Sequence, residues 1–275
     1  MDKDDLTHKK AHLIKLLRDA GSVLVAFSGG TDSSLLLAVA HETLGEKAVA
    51  VTAVSEIYPL REREQAAEFA RQRRIEHIIL PSEETRLAAF VSNGPDRCYH
   101  CKKHLFEKLA DIAEQRGLRH VAHGANIDDL KDYRPGLRAA EEMGVKAPLL
   151  RAGFSKQDIR ELSKQMGLAT WDKPAMACLA SRIPYGSPIT IEKLKMIDEA
   201  EAFLLARGVA QCRVRHHGPL ARIEVGDSDL KKIVDHDLRK NVVRKLRAMG
   251  FSYIAVDLEG YVSGSMNRVL KTTKP

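Results

Sequence analysis

Strand, turn and helix meet at Phe27-Ser28-Gly29-Gly30-Thr31-Asp32-Ser33-Ser34, and this junction constrains the fold more than any other stretch of the chain. The apolar run Val23-Leu24-Val25-Ala26 before it reads as a buried strand. Leu35-Leu36-Leu37-Ala38-Val39 after it carries a helix onward. A Ser/Gly turn between a strand and a helix start is a phosphate cradle. Glycines let the backbone approach the anion, and the unpaired N–H groups and positive dipole end of the helix face it. The loop lacks the Lys-Ser/Thr ending of a Walker A motif, and no Walker A occurs elsewhere. The bland alternative is a Gly-rich turn in a Rossmann-like unit that binds nothing.

The first two-thirds of the chain alternates strand-like and helix-like segments. Strands are expected at 23–27, 48–54, 77–80 and 120–124, with helices at 31–44, 61–73 and 101–116. Short apolar strands separated by helices predict an α/β fold, a Rossmann-like parallel sheet with helices on both faces. Ligands of such sheets lie beyond the carboxyl ends of the strands. That places Ser28–Ser34, Ser55 and Gly124-Ala125-Asn126 around one crevice. A smaller C-terminal α+β domain is expected after Pro184-Tyr185-Gly186-Ser187-Pro188, giving domains 1–184 and 185–275. Its helix at 190–206 has Thr190 as N-cap and Gly208 as stop. Strands follow at 211–216 and 220–225. Asp227-Ser228-Asp229 would cap another helix, 235–248 is helical and 253–257 strand-like. The tail 271–275 reads as disordered.

The chain of 275 residues carries a formal charge of +7, which suits a phosphorylated substrate or RNA. Acids interleave with the bases, as in Arg61-Glu62-Arg63-Glu64, so most of this charge reads as solvated helix faces. Met1-Asp2-Lys3-Asp4-Asp5 contains no apolar leader, and no run has the length and apolarity to span a bilayer. A cytoplasmic location is therefore expected. There, four cysteines are metal ligands, catalytic groups or core residues rather than disulfides.

Cys98-Tyr99-His100-Cys101 is a CxxC at the mouth of a helix, and Cys178 lies far along the chain. A lone CxxC is half a zinc site, a redox pair or a coincidence. No second CxxC or spaced His pair completes a zinc site, although His100, His104 and His123 are available singly. A CxxC plus one distant Cys is also the three-thiolate set that holds a [4Fe–4S] cluster with one iron open. Cys212, alternating with Arg213 and Arg215, reads as a buried small hydrophobe.

The Ser28–Ser34 loop resembles the SGGxDS loop of the PP-loop ATP pyrophosphatases. Adding Asn126-Ile127-Asp128-Asp129, Cys178-Leu179-Ala180-Ser181-Arg182-Ile183-Pro184-Tyr185-Gly186 and Arg213-Val214-Arg215-His216-His217-Gly218 narrows the match. From about residue 20 to 268 the chain resembles the LarE family, ATP-dependent sulfur transferases of nickel-pincer nucleotide biosynthesis.

The resemblance implies adenylation of the carboxylates of pyridinium-3,5-dicarboxylate mononucleotide and their conversion to thiocarboxylates. ATP would be held by Ser28, Gly29, Gly30, Asp32, Ser33 and Ser34, with Ser55 and Gly124 near adenosine. Asp32 would orient Mg²⁺ or the loop. Arg182, Arg213 and Arg215 would grip phosphate and carboxylates through planar charge-assisted pairs. Arg213 and Arg215, two apart on a strand, share a face; a solvated strand edge is the alternative. Glu201 and Glu224 would approach the same substrate, or form surface salt bridges. Lys173 would lower a thiolate pKa or bind phosphate, or be a surface lysine. His216 and His217 stay unassigned.

In one chemistry of the family, the cysteine matching Cys178 surrenders its sulfur and becomes dehydroalanine. In the other, a CxxC and that cysteine bind a [4Fe–4S] cluster. Cys98, Cys101 and Cys178 resemble the cluster type. A homo-oligomer and a downstream nickel-insertion protein are expected as partners. One rival is a non-enzymatic Fe–S or zinc protein that kept a nucleotide-binding fold, against which the intact Asp32-Ser33-Ser34 argues. The other rival function is a tRNA-thiolating PP-loop enzyme. Against it stand the lack of an added RNA-binding domain and an aromatic content of 5%.

Overall fold

The computed structural model describes residues 3–131, 133–174 and 177–271. Residues 272–275 of the expected disordered tail lie outside that set. By contacts the chain forms two compact units, one from residues 1–84 and 98–176, the other from 85–97 and 177–275.

The first unit is built on a four-stranded sheet of order β3-β2-β1-β4. β1 (Val23–Ala26) pairs in parallel with β2 (Ala48–Val54) from Val23↔Ala48 to Ala26↔Val51. On its other side it pairs with β4 (His120–Ala122) from Val23↔His120 to Val25↔Ala122. β3 (His77–Pro81) continues the sheet beyond β2, again in parallel. Successive side chains of a strand point to opposite faces. Val23, Val25, Ala48 and Ala50 accordingly join one core with α1 (Lys3–Ala20) and α2 (Thr31–Leu44). Leu24 and Val51 join another, with Leu105, Phe106 and Leu109 of a helix later in the chain. Both sheet faces are covered, which is why these strands read as unbroken apolar runs. Each buried Leu or Val contributes about 1.5–3 kcal/mol.

Helix α3 (Leu60–Gln72) and the short α4 (Ala88–Val91) follow β2 and β3 in the chain. α5 (Arg97–Gln115) begins before the expected residue 101, so the CxxC occupies its first turn rather than its mouth. Between β4 and the end of this unit lie α6 (Pro135–Glu142), α7 (Pro148–Arg151) and α8 (Lys156–Gln165). Ser155 and Asp158 close α8 with a capping box.

The second unit holds a mixed sheet of order β5-β6-β7. β5 (Cys212–His217) is antiparallel to β6 (Leu220–Val225), which is parallel to β7 (Tyr253–Val256). The parallel pair needs a crossover, supplied by α10 (Asp227–Val234) and α11 (His236–Ala248). α9 (Ile191–Leu205) is capped by the Thr190 side chain, which accepts from the Lys193 amide as expected. The expected Asp227-Ser228-Asp229 cap does not form. Gly226 is the N-cap of α10, and the Asp229 carboxylate accepts from the Ala210 amide at 2.7 Å.

Segment 85–97 is tied into this unit by its backbone. The Gly186 amide donates to Asn93 O, and the Ile189 amide to Val91 O. Asn93, fully buried with φ +57°, donates its side-chain amide to the carbonyls of Pro184 and Ser187, each at 2.8 Å.

Candidate functional site

The order β3-β2-β1-β4 reverses the chain's direction of travel across the sheet between β1 and β4. Crevices form at such reversals, and both glycine-bearing loops of the first unit leave the sheet there. Gly30 caps α2 without a side-chain hydrogen bond, so the helix's first N–H groups remain available to an anion. Gly29 has φ +71°, and a Cβ there would lie 3.0 Å from Ala66 Cβ. After β4, Gly124 comes so close to α2 that a Cβ would lie 2.9 Å from the Ser33 amide nitrogen. Two loops distant in sequence thus meet at the helix N-terminus.

The loop's hydroxyls divide their tasks. Ser28, exposed, and Ser33, buried, lie 3.1 Å apart through their hydroxyls, and Ser33 Oγ also donates to Gly30 O. Ser34 is fully buried, and Ser55 follows the end of β2. Among the described residues, the hydroxyl of each has no hydrogen-bond partner. Asp32 meets the ammonium of Lys156, the first residue of α8, at 2.6 Å from each carboxylate oxygen. Burial pushes the Asp32 carboxyl above its ordinary pKa, and the Lys156 charge opposes that rise. Mg²⁺ is commonly bound by one or two carboxylates together with substrate phosphates. Asp32 fits that role.

The second unit gathers all five expected substrate residues into one buried charged cluster. Arg182 is fully buried. Its Nε and Nη2 donate to the two Glu201 oxygens at 2.9 and 3.0 Å, and its Nη1 donates to Ala177 O and Cys178 O. Arg215 donates to Glu224 at 2.5 Å and to Ser181 O at 3.1 Å. Glu201 also accepts from the Val214 amide. Arg213 lies over the Tyr261 ring at 5.0 Å, and burial followed by the nearby Arg182 charge lowers its pKa. β5 is therefore not a solvated edge, and the two glutamates are not surface salt bridges. Arg182 and Arg215 are thus paired with Glu201 and Glu224 in a buried setting, and Arg222 adds a further guanidinium 3.2 Å from Glu224.

His216 is buried, and its Nδ1 has no partner among the described residues. His217 Nε2 accepts from Arg222 Nε at 3.3 Å. Burial lowers the pKa of both histidines. Cys212 is buried in the core of this unit, as expected.

No disulfide joins the four cysteines. Cys98 and Cys101 stand in the first turn of α5 in the first unit, and Cys178 belongs to the second. Among the described residues no group of three or more His, Cys, Asp or Glu is arranged to hold a metal ion. The thiol chemistry of Cys98, Cys101 and Cys178 suits an iron–sulfur cluster. His123 follows β4 with its ring edge toward Phe106, and burial lowers its pKa to about 4.

Sequence reasoning missed Lys156 and Glu62, and the partners of Lys173. Lys173 Nζ pairs with Glu62 at 2.7 Å and donates to Gly29 O at 3.0 Å, so it is not a surface lysine. Lys156 stands 124 residues from Asp32. No local pattern announces such a pair.

The asparagine synthase family model matches residues 13–126, the span of the first sheet and its loops. Sheet order, uncapped Ser-Gly-Gly turn and half-buried aspartate define a PP-loop ATP-binding protein. The chain is 37% identical over 271 residues to pyridinium-3,5-bisthiocarboxylic acid mononucleotide synthase of Lactiplantibacillus plantarum, covering 96% of each chain. The chain belongs to that synthase's family, the LarE family. It is also 41% identical to an uncharacterized protein of Synechocystis, over 96% of this chain and 99% of that one. An uncharacterized protein of Methanocaldococcus jannaschii is 32% identical over 88% and 91%.

Proposed function

We propose that the protein is an ATP-dependent sulfur transferase that turns the carboxylates of pyridinium-3,5-dicarboxylate mononucleotide into thiocarboxylates. The cradle where Gly124 meets the Ser33 amide carries the reading, because it presents uncapped helix N–H groups beside the half-buried Asp32 carboxylate. A substrate carboxylate oxygen attacks the α-phosphorus of ATP, and the bond to pyrophosphate breaks. A sulfur nucleophile then attacks the acyl carbon, and AMP leaves with the carboxylate oxygen. The loop's N–H groups stabilise charge on the departing pyrophosphate. Asp32 would hold Mg²⁺ together with the phosphates, and the ion would supply further neutralisation. Ser55 and Gly124 flank adenosine.

Arg213 and Arg215 meet the anionic substrate in this reading, with Glu224 holding Arg215. Arg182, locked to Glu201, sets the cluster's geometry. Cys178 supplies sulfur or holds its source. In the finer form of the proposal, Cys98 and Cys101 join Cys178 as the thiolate donors of a [4Fe–4S] cluster. Such a cluster, when bound, supplies a sulfide on its open iron. A cytoplasmic homo-oligomer that passes its product to a nickel-inserting protein completes the proposal. Among the described residues no helix is long and apolar enough to cross a membrane.

Pyrophosphate release from ATP tests the function. The dicarboxylate nucleotide should stimulate it, and Asp32→Ala should reduce it at least about a hundredfold while leaving a folded protein. Stimulation by tRNA instead, or none by the nucleotide, would overturn the proposal.

A further inference from the structure

The segment before Cys178 makes three contacts with the phosphate loop. Lys173 Nζ donates to Gly29 O at 3.0 Å. The Thr31 hydroxyl donates to Thr170 O at 2.9 Å and lies 3.4 Å from Lys173 O. Residues 170–173 therefore grip the loop on both sides of Gly30. The grip is itself anchored. Glu62 of α3 holds the Lys173 ammonium at 2.7 Å, with side-chain exposures of only 11% and 13%. Arg160 of α8 donates to Lys173 O at 3.2 Å.

The peptide between Gly29 and Gly30 is the part of the loop with most freedom to turn over. Flipping its plane changes ψ of the first residue and φ of the second by about 180°, which glycine tolerates and other residues resist. In a trans peptide the C=O and N–H point in opposite directions. The bond that holds Gly29 O on Lys173 therefore aims the Gly30 N–H the other way, toward Ser28 Oγ at 3.4 Å. A flip would exchange an N–H donor for a carbonyl oxygen where the phosphates are to be held, turning attraction into repulsion.

We propose that Lys173, anchored by Glu62, is a positioning residue that locks the Gly29–Gly30 peptide with its N–H toward the bound phosphates. This rests on the ATP-binding reading of the loop. It makes Lys173 a determinant of nucleotide affinity that acts through the backbone and not by touching phosphate.

Isothermal calorimetry of ATP binding to Lys173→Met, Glu62→Gln, the double variant and Lys173→Arg tests it. Each single variant is expected to weaken ATP about tenfold. The double variant should be no weaker than Lys173→Met, because both members act through one contact. Lys173→Arg should recover part of the loss. The double variant removes both buried charges together, so it guards against a fold lost to an unpaired glutamate. Hydrogen exchange of residues 28–34 in the nucleotide-free protein should rise in the single variants, as the loop samples the flipped plane.

Weakened ATP binding in Lys173→Met with wild-type binding in Glu62→Gln would show direct phosphate contact and overturn the lock. Unchanged affinity in both would overturn it as well. The readout is ATP binding alone. A protein that binds ATP but ignores the dicarboxylate nucleotide would sink the proposed function and leave this test intact.

Discussion

A methyl group at position 124 would have to sit 2.9 Å from the Ser33 amide nitrogen, against helix backbone that has no rotamer to yield. Gly124→Ala is expected to cost about 1–3 kcal/mol and to raise KM for ATP. A thermal melt and an ATP titration of the same variant check both. The arginine cluster invites a contrast. Arg182→Met strands Glu201 in the interior, and breaking such a pair costs about 3–5 kcal/mol. Arg213→Ala should leave the melt nearer the wild type. Its effect should fall on KM for the dicarboxylate nucleotide, raised by the loss of a contact worth about 1.5–3 kcal/mol, while KM for ATP holds. If only KM for ATP moved, Arg213 would belong to the nucleotide pocket. At this scale the sequence singled out residues and seldom showed whom they meet. Arg182, Arg213, Arg215, Glu201 and Glu224 were all named, but the pairing of Arg182 with Glu201 and of Arg215 with Glu224 depends on tertiary approach. The same holds for Lys156 and Asp32, whose distance along the chain hides them from any spacing rule.

Elements with strong periodicity were readable to within a few residues. β2 and α2 have their expected bounds, because an apolar run ended by polar residues and a helix opened by Gly-Gly leave little choice. α10 went differently, since Gly226 took the cap and Asp229 accepts from the Ala210 amide. The short helices α6, α7 and α8 stand outside the helices expected from the sequence. The end of β4 carries a titration of its own. His123 is buried, with the Lys102 charge adding to the effect, and its pKa falls from 6.5 to about 4. Between those values the unfolded chain binds a proton that the folded one refuses. Stability from this site is therefore complete above about pH 6.5 and is lost as pH falls toward 4. The gap corresponds to about 3 kcal/mol. Urea unfolding from pH 7.5 to 5 should show the slope, and His123→Gln should flatten it.

For the whole molecule, the fold class was open to sequence reasoning. The expected domains met at 184/185, whereas contacts divide the chain at 176/177 and give 85–97 to the later unit. A short stretch containing Asn93 and Gly94 reads as a loop, and nothing local says whose loop it is. The cysteines also belong to this scale, since Cys98 and Cys101 lie in one unit and Cys178 in the other. If three thiolates act together, Ala at any of them should abolish sulfur transfer and spare adenylation. Mass spectrometry after several turnovers should then find Cys178 intact, with iron and acid-labile sulfide in the anaerobically purified protein. Dehydroalanine at 178 in active, iron-free protein would identify Cys178 as a consumed sulfur donor.

Segment 85–97 has one more consequence, which concerns synthesis. Asn93 must wait for Pro184, 91 residues further along. At about 5–20 residues per second that delay is on the order of 5–20 s. Through all of it Phe90, 1% exposed in the finished molecule, waits in the nascent chain for the rest of its unit. The apolar ring therefore stays open to chaperones until the later residues of that unit are made.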